Sequence, residues 1–337
     1  MSESVRAFDL VVIGSGGAGL VAALRALDRG ARVAVIEKSK LVGGTTAMSG
    51  GVLWVPGNHL MADVGGEDSP EETLTYLRRV AFGQSTEELL RAFVDAAPEM
   101  VRYLETRTPL RFAAVRRPDY HPEWEGGKLA GRSLDVEPFD ATQLGPRRAL
   151  LRTSPHYPPI TYRERYAWGR PEKFDWPLIA ERMARGIVTL GAALVAGLLK
   201  SCLDSGVQVF TEMRARELIR RSGRVAGVRV GDAEGRPVAF DAARAVVVAS
   251  GGFEWNRQME KDFLRGPELA PATSPWNTGD GILMGAGIGA SLGNMNEAAW
   301  CPMVQIPGEE YDGHPVSRLI VEERSRPGSI IVNRHGR

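Results

Sequence analysis

The chain has 337 residues, of which 43% are apolar, so it can bury a large core in one domain or two. Its 42 basic and 41 acidic residues leave a net charge of +1, which gives no overall field to attract nucleic acid or an anionic membrane. Cys202 and Cys301 cannot form a disulfide framework and indicate a reducing compartment. The first ten residues lack the apolar core of a signal peptide, and the most apolar window, 186–200, is too short for a membrane span. We expect a cytoplasmic globular protein with no membrane span and no nucleic-acid partner.

The N-terminal segment predicts a strand, a glycine turn, a helix and a second strand. FDLVVIG at 8–14 is a continuous apolar run, typical of a central parallel strand that is covered on both faces. Apolar residues then recur at helical spacing over 17–30, and the final glycine suits a helix C-terminus. ARVAVIE at 31–37 predicts the second buried strand. This order predicts an α/β fold with a Rossmann-like parallel sheet.

Further along the chain, periodicity and turn residues predict more helices and strands. Apolar periodicity predicts helices at 70–79, 86–106, 177–203 and 280–289, and strands at 207–210, 244–252 and 328–333. Ser69, followed by Glu72, predicts a capped start for the first of these helices. Alternation around the turns RSGR and DAEGR predicts an antiparallel β-meander over 213–240. Residues 116–176, rich in aromatic residues and proline, predict a long ordered loop region rather than a disordered linker.

Three glycines form the pattern G-x-G-x-x-G between the first strand and the first helix. Gly14 permits the tight turn, Gly16 lets a pyrophosphate approach the backbone, and Gly19 lets the helix pack close to the strand. The helix N-terminus supplies amide donors and partial positive charge for the pyrophosphate. Glu37, at the end of the second strand, can accept a hydrogen bond from a ribose hydroxyl. The pattern predicts a dinucleotide site, and an acid at this place suits NAD and FAD equally.

A second glycine-rich block, GGTTAMSGG at 43–51, follows Glu37 and Lys38 closely. It offers four glycines and three hydroxyls, namely Gly43, Gly44, Gly50, Gly51, Thr45, Thr46 and Ser49. Backbone amides can approach a flat isoalloxazine ring only where side chains are absent, and such donors favour its reduced, electron-rich form. The alternative is a flexible loop spaced by glycine. The block therefore favours a flavin-binding surface.

Four motifs together resemble those of the fumarate reductase and ketosteroid dehydrogenase group of FAD-dependent flavoproteins. They are GSGGAGL, EKSKLVGGTTAMSGGVLWVPGN, VVVASGGFE and TGDG, and the resemblance extends over essentially the whole chain. It implies an FAD-binding domain over 1–298, with an irregular insertion at about 116–176, and the beginning of a substrate domain over 299–337. It implies that the first turn holds the pyrophosphate, the glycine block the flavin and the meander the adenine. The implied cofactor-binding residues are Gly14, Ser15, Gly16, Gly17, Ala18, Gly19, Glu37, Lys38, Gly43, Gly44, Thr45, Thr46, Ser49, Gly50, Gly51, Ala215, Ala249, Ser250 and Gly251.

Within that group, the ketosteroid dehydrogenase branch matches this chain better than the fumarate reductase branch. The reductases carry a His-Pro-Thr stretch after the glycine-rich helix, whereas this chain reads NMNEAAWCPM at 294–303. The tryptophan, cysteine and methionine there suggest an apolar wall for a steroid-like ring system. No histidine stands between Glu37 and Gly51, so the covalent flavin of succinate dehydrogenases is not expected. The resemblance implies noncovalent FAD, a hydrophobic steroid-like substrate and an external electron acceptor; a fumarate-reductase-like reductase is the alternative.

For catalysis, the resemblance implies that a tyrosine removes a proton from substrate C2 while a hydride leaves C1 for flavin N5. A second tyrosine and a backbone amide polarise the C3 carbonyl. Tyr120, in PDYHP, matches an aromatic residue that the family places over the substrate, and it is the single catalytic candidate on this chain. Tyr157, Tyr162 and Tyr166 predict aromatic anchors rather than bases. The histidines show no metal-ligand spacing, so no metal is assigned.

The chain ends at GSIIVNRHGR, where members of the resembled group continue into the remainder of the substrate domain. The resemblance places both principal tyrosines and the last flavin contacts beyond that point. We therefore expect an N-terminal piece of a longer enzyme, which by itself does not turn over steroid and holds FAD weakly or not at all. A nucleotide-binding module without a catalytic role is the hypothesis from a different functional class.

Overall fold

A computed structural model of the chain describes residues 4–266, 270–320, 324, 327–333 and 335–337. The strands are β1 (Ser4–Ile13), β2 (Val33–Ile36), β3 (Leu53–Trp54), β4 (Phe112–Ala114), β5 (Ser133–Val136), β6 (Phe139–Asp140), β7 (Ile187–Val188), β8 (Gln208–Phe210), β9 (Arg214–Arg221), β10 (Arg224–Gly231), β11 (Pro237–Val248), β12 (Met303–Tyr311) and β13 (His314–Leu319). The helices are α1 (Gly17–Leu27), α2 (Gly44–Met48), α3 (Pro70–Val80), α4 (Glu87–Arg107), α5 (Tyr162–Trp168), α6 (Trp176–Arg185), α7 (Leu190–Asp204), α8 (Arg257–Phe263) and α9 (Asp280–Gly287). Short 3-10 helices lie at Met61–Val64, Ala141–Leu150 and Pro171–Lys173.

A six-stranded sheet in the order β8-β2-β1-β11-β10-β9 organises the fold. β1 pairs in parallel with β2 and β11, and β2 pairs in parallel with β8. β9, β10 and the first half of β11 form an antiparallel meander at the other edge. The predicted α/β fold with a parallel sheet and a β-meander is confirmed.

Two apolar cores cover the two faces of this sheet. On one face, α1 and α7 pack over the parallel strands, and Val12, Leu20 and Val195 are fully buried there. On the other face, Phe8 and Phe240 stack with ring centroids 6.1 Å apart inside the meander. Burial on both faces explains why β1 and β2 read as continuous apolar runs in the sequence. The carboxyl ends of β1 and β2 therefore meet at one protected edge of the sheet.

Several helix predictions are confirmed, and one is wrong. The start of α3 is capped as expected, because the Ser69 hydroxyl accepts from the Glu72 amide and donates to the Glu72 carboxylate. The predicted single helix at 177–203 is instead two helices, α6 and α7, with the short strand β7 between them. Gly186 ends α6 in the left-handed region at φ 74°, a conformation that suits glycine at a helix terminus.

The strand predictions need three corrections. The expected separate strand at 244–252 is the second half of the twelve-residue β11, which ends at Val248 and pairs with β1 beyond a register shift between Phe8 and Leu10. The residues of 328–333 form no strand, and the Ile330 side chain is 86% exposed. The hairpin β12-β13 was not predicted, although Asp312 and Gly313 both have positive φ, the requirement of a two-residue hairpin turn.

The region 116–176 is ordered, as expected, but it contains more regular structure than a loop. It holds β5, β6, α5 and two 3-10 helices. β5 pairs with β3 and β4 in a small antiparallel sheet. Beside this sheet the fully buried Arg132 guanidinium binds Asp68 and Asp119 at 2.7 and 2.8 Å. Since Asp119 also accepts from the Trp54 indole and the Lys128 amide, this network fixes the 119–128 loop.

Candidate functional site

A cavity of about 290 Å³ lies where the carboxyl ends of β1 and β2 meet the N-terminus of α1. In an open parallel sheet this edge is the usual position of a ligand crevice. Its lining comes from segments far apart in the sequence: Ile13, Gly14, Ser15, Gly16, Gly17, Ala18, Ile36, Glu37, Lys38, Gly44, Thr45, Thr46, Met213, Ala215, Ala249, Ser250, Gly251, Ser274, Trp276, Asn277 and Asp280. The fold thus brings the first glycine turn, part of the second glycine block, the meander and the end of β11 to one place. Five residues predicted from the sequence do not line it: Gly19, Gly43, Ser49, Gly50 and Gly51.

The three glycines of the first turn have different structural roles. Gly14 has φ +104°, and a Cβ added there would lie 2.3 Å from the Ala249 carbonyl oxygen. A Cβ at Gly19 would lie 2.1 Å from the Gly14 carbonyl oxygen, so Gly19 allows α1 to pack against β1 as the spacing predicted. At Gly16, by contrast, the nearest atom is the Thr46 hydroxyl at 3.5 Å. A Cβ at Gly16 would therefore make only ordinary contacts, and Gly16 lines the cavity next to the N-terminus of α1.

Glu37 ties the first turn to the end of β2. Its Oε2 accepts from the Ser15 hydroxyl at 2.6 Å and the Ser15 amide at 3.2 Å, and its Oε1 accepts from the Ser39 amide at 2.9 Å. The Ser15 hydroxyl also accepts from the Gly43 amide, which links the two glycine segments. Because a carboxylate oxygen has two acceptor sites, Oε1 keeps one of them for a further donor. Glu37 is thus first a structural tie, a role that the sequence did not predict.

The second glycine block is not the uniformly bare surface that its composition suggests. A Cβ at Gly44 would meet nothing within 4 Å, whereas one at Gly50 would lie 2.4 Å from the Tyr162 ring. A Cβ at Gly51 would lie 2.4 Å from the Gly191 amide nitrogen, and one at Gly43 would lie 2.7 Å from the Ala47 side chain. These three glycines are therefore needed for close packing under α5 and α7. Only the Gly44 end of the block opens on the cavity.

Two hydroxyls of the block connect the cavity walls. Thr46 Oγ1 accepts from the Gly17 amide at 3.0 Å, so it contacts the first turn of α1. Thr45 Oγ1 accepts from the Ser274 amide at 3.1 Å and from the Asn277 side chain at 3.0 Å. Ser49, also predicted to bind the cofactor, instead donates to the Thr46 carbonyl at the end of α2. The threonines thus hold the 274–277 loop over the glycine turn.

An ion cluster forms the cavity wall next to the meander. Asp280, at the start of α9, accepts from Lys38 Nζ at 3.0 Å and from two Arg214 nitrogens at 2.8 and 3.0 Å. Burial would raise the pKa of Asp280, but the Arg214 and Lys38 charges outweigh it and lower that pKa. Burial lowers the pKa of the Lys38 ammonium, and Asp280 opposes this effect. The cluster joins the ends of β2, β9 and α9.

Sequence reasoning missed seven lining residues. They are Ile13, Ile36, Met213, Ser274, Trp276, Asn277 and Asp280. Asp280 belongs to the TGDG motif, so a signal for it was present but carried no assigned role. Ser274 is 1% exposed, and among the described residues its Oγ has no hydrogen-bond partner. Buried hydroxyls are usually hydrogen-bonded, so Ser274 is a candidate contact for a polar ligand or a water molecule.

The catalytic and substrate candidates do not reach this cavity. Tyr120 is 88% exposed and contributes nothing to the lining. The segment 294–303, predicted to form an apolar wall, is exposed in the described structure, where Trp300 is 48% exposed and Cys301 is also exposed. Its role as a wall for the substrate stays a prediction. The structure thus defines a cofactor-sized crevice more completely than a substrate pocket.

The described residues fit a dinucleotide with a diphosphate. Gly16 carries no side chain next to the N-terminus of α1, and Ala215 offers a small apolar surface. Among the described residues, Ser274 Oγ has no hydrogen-bond partner. In the ranges that the structure covers, no cluster of three or more histidine, cysteine or acidic side chains could bind a metal ion. Across the same described ranges, every helix is too short or too polar to cross a bilayer.

The chain belongs to the FAD binding domain family, which it matches over residues 9–337. It is 38% identical to a 4-oxocyclohexanecarboxylate 2-dehydrogenase of Sinomonas cyclohexanicum, over 98% of this chain and 58% of that protein. It is 35% identical to a 3-oxosteroid 1-dehydrogenase of Mycobacterium tuberculosis, over 99% of this chain and 62% of that protein. The chain therefore spans about three fifths of the length of these relatives.

Solved structures agree with the family. A 3-ketosteroid Δ1-dehydrogenase from Sterolibacterium denitrificans, 34% identical, superposes with a TM-score of 0.83 over 90% of this chain and 58% of that one. The open form of a flavocytochrome c3 fumarate reductase, at 19% identity and a TM-score of 0.66, shares the fold over 94% of this chain and 45% of that one. The predicted cofactor, FAD, and the predicted flavoprotein group are confirmed.

Proposed function

We propose that the cavity holds FAD noncovalently, with the diphosphate against the turn at Gly16 and the N-terminus of α1. The observation that carries the proposal is that Gly16 lines the cavity at the N-terminus of α1 with only ordinary contacts around its Cα, in contrast to the packed positions Gly14 and Gly19. Ala215 and Met213 then lie at the adenine end, as the sequence resemblance implies. The remaining acceptor site on Glu37 Oε1 suits a ribose hydroxyl.

With the diphosphate at Gly16 and the adenine near Ala215, the flavin is assigned to the second glycine block. Thr45 and Gly44 line the cavity and belong to the 43–51 block, so we assign them to the flavin end. Ser274 also lines the cavity, and its buried hydroxyl has no hydrogen-bond partner among the described residues, so a rotation of its side chain would let it bond to the polar part of the cofactor. A domain boundary near residue 298 and a cytoplasmic location remain parts of the proposal.

For the full-length gene product, we propose dehydrogenation of a cyclic ketone at adjacent carbons, with transfer of electrons to an external acceptor. FAD, when bound, supplies the hydride acceptor. The residues of this chain that line the cavity bind and orient the cofactor. The support is the pair of relatives at 38% and 35% identity, a cyclohexanone-carboxylate and a 3-oxosteroid dehydrogenase. Because the chain spans about three fifths of each, the reaction is assigned to the full-length protein.

Cofactor binding can be tested with a variant that fills the cavity. In Gly16→Val the Cβ makes only ordinary contacts, with Thr46 Oγ1 at 3.5 Å and the Gly43 carbonyl oxygen at 3.9 Å, while the side chain occupies part of the cavity. We expect at least tenfold weaker FAD binding at a nearly unchanged melting temperature. Gly293→Val is the matched control, because a Cβ there meets nothing within 4 Å and lies outside the cavity. Flavin fluorescence titration measures the affinity. Equal affinities for both variants and the wild type would contradict the site.

The reaction is tested separately on the full-length FAD-loaded protein. We expect a cyclic ketone, a 3-ketosteroid or a cyclohexanone, to bleach the flavin anaerobically and to reduce a dye in steady state. Acid precipitation should release the yellow cofactor, as noncovalent binding requires. Bleaching by no ketone, together with reoxidation of photoreduced flavin by fumarate, would replace the dehydrogenase proposal with the reductase alternative.

A further inference from the structure

Arg117 is a half-buried arginine held between two tyrosine rings. Its guanidinium carbon lies 5.6 Å from the centroid of the Tyr162 ring and 6.0 Å from that of Tyr120. Among the described residues, no carboxylate forms an ion pair or a hydrogen bond with this guanidinium. Its charge is thus contacted by aromatic rings alone.

The acid nearest to Arg117 in the sequence is already engaged elsewhere. Asp119, two residues along the chain, binds the Arg132 guanidinium, the Trp54 indole and the Lys128 amide. A rearrangement that gave this carboxylate to Arg117 would break these buried contacts. Asp135, under the start of α5, accepts from the Arg163 amide through Oδ2, and its buried Oδ1 has no hydrogen-bond partner among the described residues. Among the described residues, the positive charge of Arg117 therefore remains available to a ligand.

Arg117 lies one aromatic ring away from the second glycine block, beside the packed Gly50 end of the block, which does not line the cavity. The Tyr162 ring that lies beside the guanidinium also covers Gly50, since a Cβ at Gly50 would fall 2.4 Å from that ring. One aromatic ring thus separates the cation from the glycine block. Tyr120, the residue that the family resemblance places over the substrate, lies beside the same guanidinium. Cation and ring contacts of this kind restrict the guanidinium while its N–H donors stay free for a planar anion.

We propose that Arg117 binds the carboxylate of the substrate, so that the preferred substrate class is a small cyclic ketone acid rather than an uncharged steroid. The inference rests on the proposed dehydrogenase function and specifies its substrate. A carboxylate accepts two parallel N–H bonds from a guanidinium, which fixes the orientation of the ring that carries it. The partly buried setting strengthens this attraction relative to a solvated surface arginine. Arg117 is thus a binding residue that favours substrates with a carboxylate over uncharged ketones.

A binding experiment tests the charge preference without turnover. Calorimetry on the full-length FAD-loaded protein compares cyclohexanecarboxylate with cyclohexanecarboxamide, neither of which has a ketone to oxidise. We expect the carboxylate to bind at least tenfold more tightly, Arg117→Gln to remove the difference, and Arg117→Lys to restore part of it. Arg116→Gln is the matched control, because Arg116 is exposed and makes neither ring contact. Equal affinities for the two ligands, or an unchanged preference in Arg117→Gln, would overturn the inference.

Activity measurements separate this inference from the proposed function. With 4-oxocyclohexanecarboxylate, Arg117→Gln should raise KM at least tenfold with a smaller effect on kcat, and the KM for an uncharged cyclohexanone should rise much less. Arg116→Gln should leave the KM of both ketones unchanged. Oxidation of a 3-ketosteroid combined with no carboxylate preference refutes the role of Arg117 and leaves the dehydrogenase function intact. An Arg117-dependent carboxylate preference without oxidation of any ketone refutes the dehydrogenase function and supports the carboxylate site.

Discussion

Replacing Arg132 by methionine gives the strongest stability prediction. Its Nε and Nη2 bind Asp68 at 2.8 and 2.7 Å, and its Nη1 binds Asp119 at 2.8 Å. The Arg132 and Asp68 side chains are fully buried, and that of Asp119 is 2% exposed. Arg132→Met keeps much of the side-chain volume but leaves two buried carboxylates without their cation. Breaking a buried ion pair in this way costs about 3–5 kcal/mol.

This loss has a defined dependence on pH. Burial alone would raise the pKa of Asp68, but hydrogen bonds and attraction from Arg132 outweigh it and lower the pKa below its usual 3.8. In the wild type this contribution is present above pH 3.8 and is lost only as the pH falls through the lowered pKa. In Arg132→Met, burial is opposed only by the remaining hydrogen bonds, such as those from Thr73 and Gly57, so Asp68 takes up a proton at a higher pH. The difference in unfolding free energy between the wild type and Arg132→Met is therefore largest at neutral pH. It shrinks as the pH approaches about 4.

Urea denaturation followed by far-UV circular dichroism measures the effect. With an m-value of about 3 kcal/mol per M, a loss of 3–5 kcal/mol lowers the midpoint by about 1–1.7 M. Arg102→Met on the exposed face of α4 is the control and should stay within about 0.5 kcal/mol of the wild type. A midpoint for Arg132→Met within about 0.2 M of the wild type would refute the assignment of a buried, stabilising charge network.

Two further predictions concern the glycine turn and the thiols. Gly14→Ala should lower the free energy of unfolding by at least about 2 kcal/mol, since the new Cβ meets the Ala249 carbonyl oxygen at 2.3 Å in a left-handed backbone. Gly30→Ala, where φ is +76° and nothing lies within 4 Å, should lose only about 1 kcal/mol; equal losses would contradict the packing argument. Burial raises the pKa of the Cys202 thiol to about 12, so a disulfide reagent at pH 8 should modify only the exposed Cys301 in the native chain. Rapid modification of both thiols before unfolding would contradict the burial of Cys202.

Local patterns were sufficient for the parts of the fold that depend on short-range geometry. The strand, glycine turn, helix and strand of the first 37 residues follow from apolar periodicity and from backbone angles that favour glycine. The Ser69 cap is also local, because both of its partners are atoms of Glu72. By contrast, the break between α6 and α7 at Gly186 was missed. The apolar pattern continues through Gly186, but the left-handed backbone conformation of this residue ends α6 there.

A dinucleotide as cofactor and the first turn of the site were determined by the sequence itself, since G-x-G-x-x-G with Glu37 encodes a backbone geometry within one supersecondary unit. Tertiary packing decided the rest. It placed the Ser274 amide on Thr45 across 229 residues of sequence, and it put the Tyr162 ring over Gly50 so that a glycine that reads as bare backbone is covered. Composition reports which side chains are small, but only the approach of distant segments decides whether a ligand or the protein itself fills the space they leave.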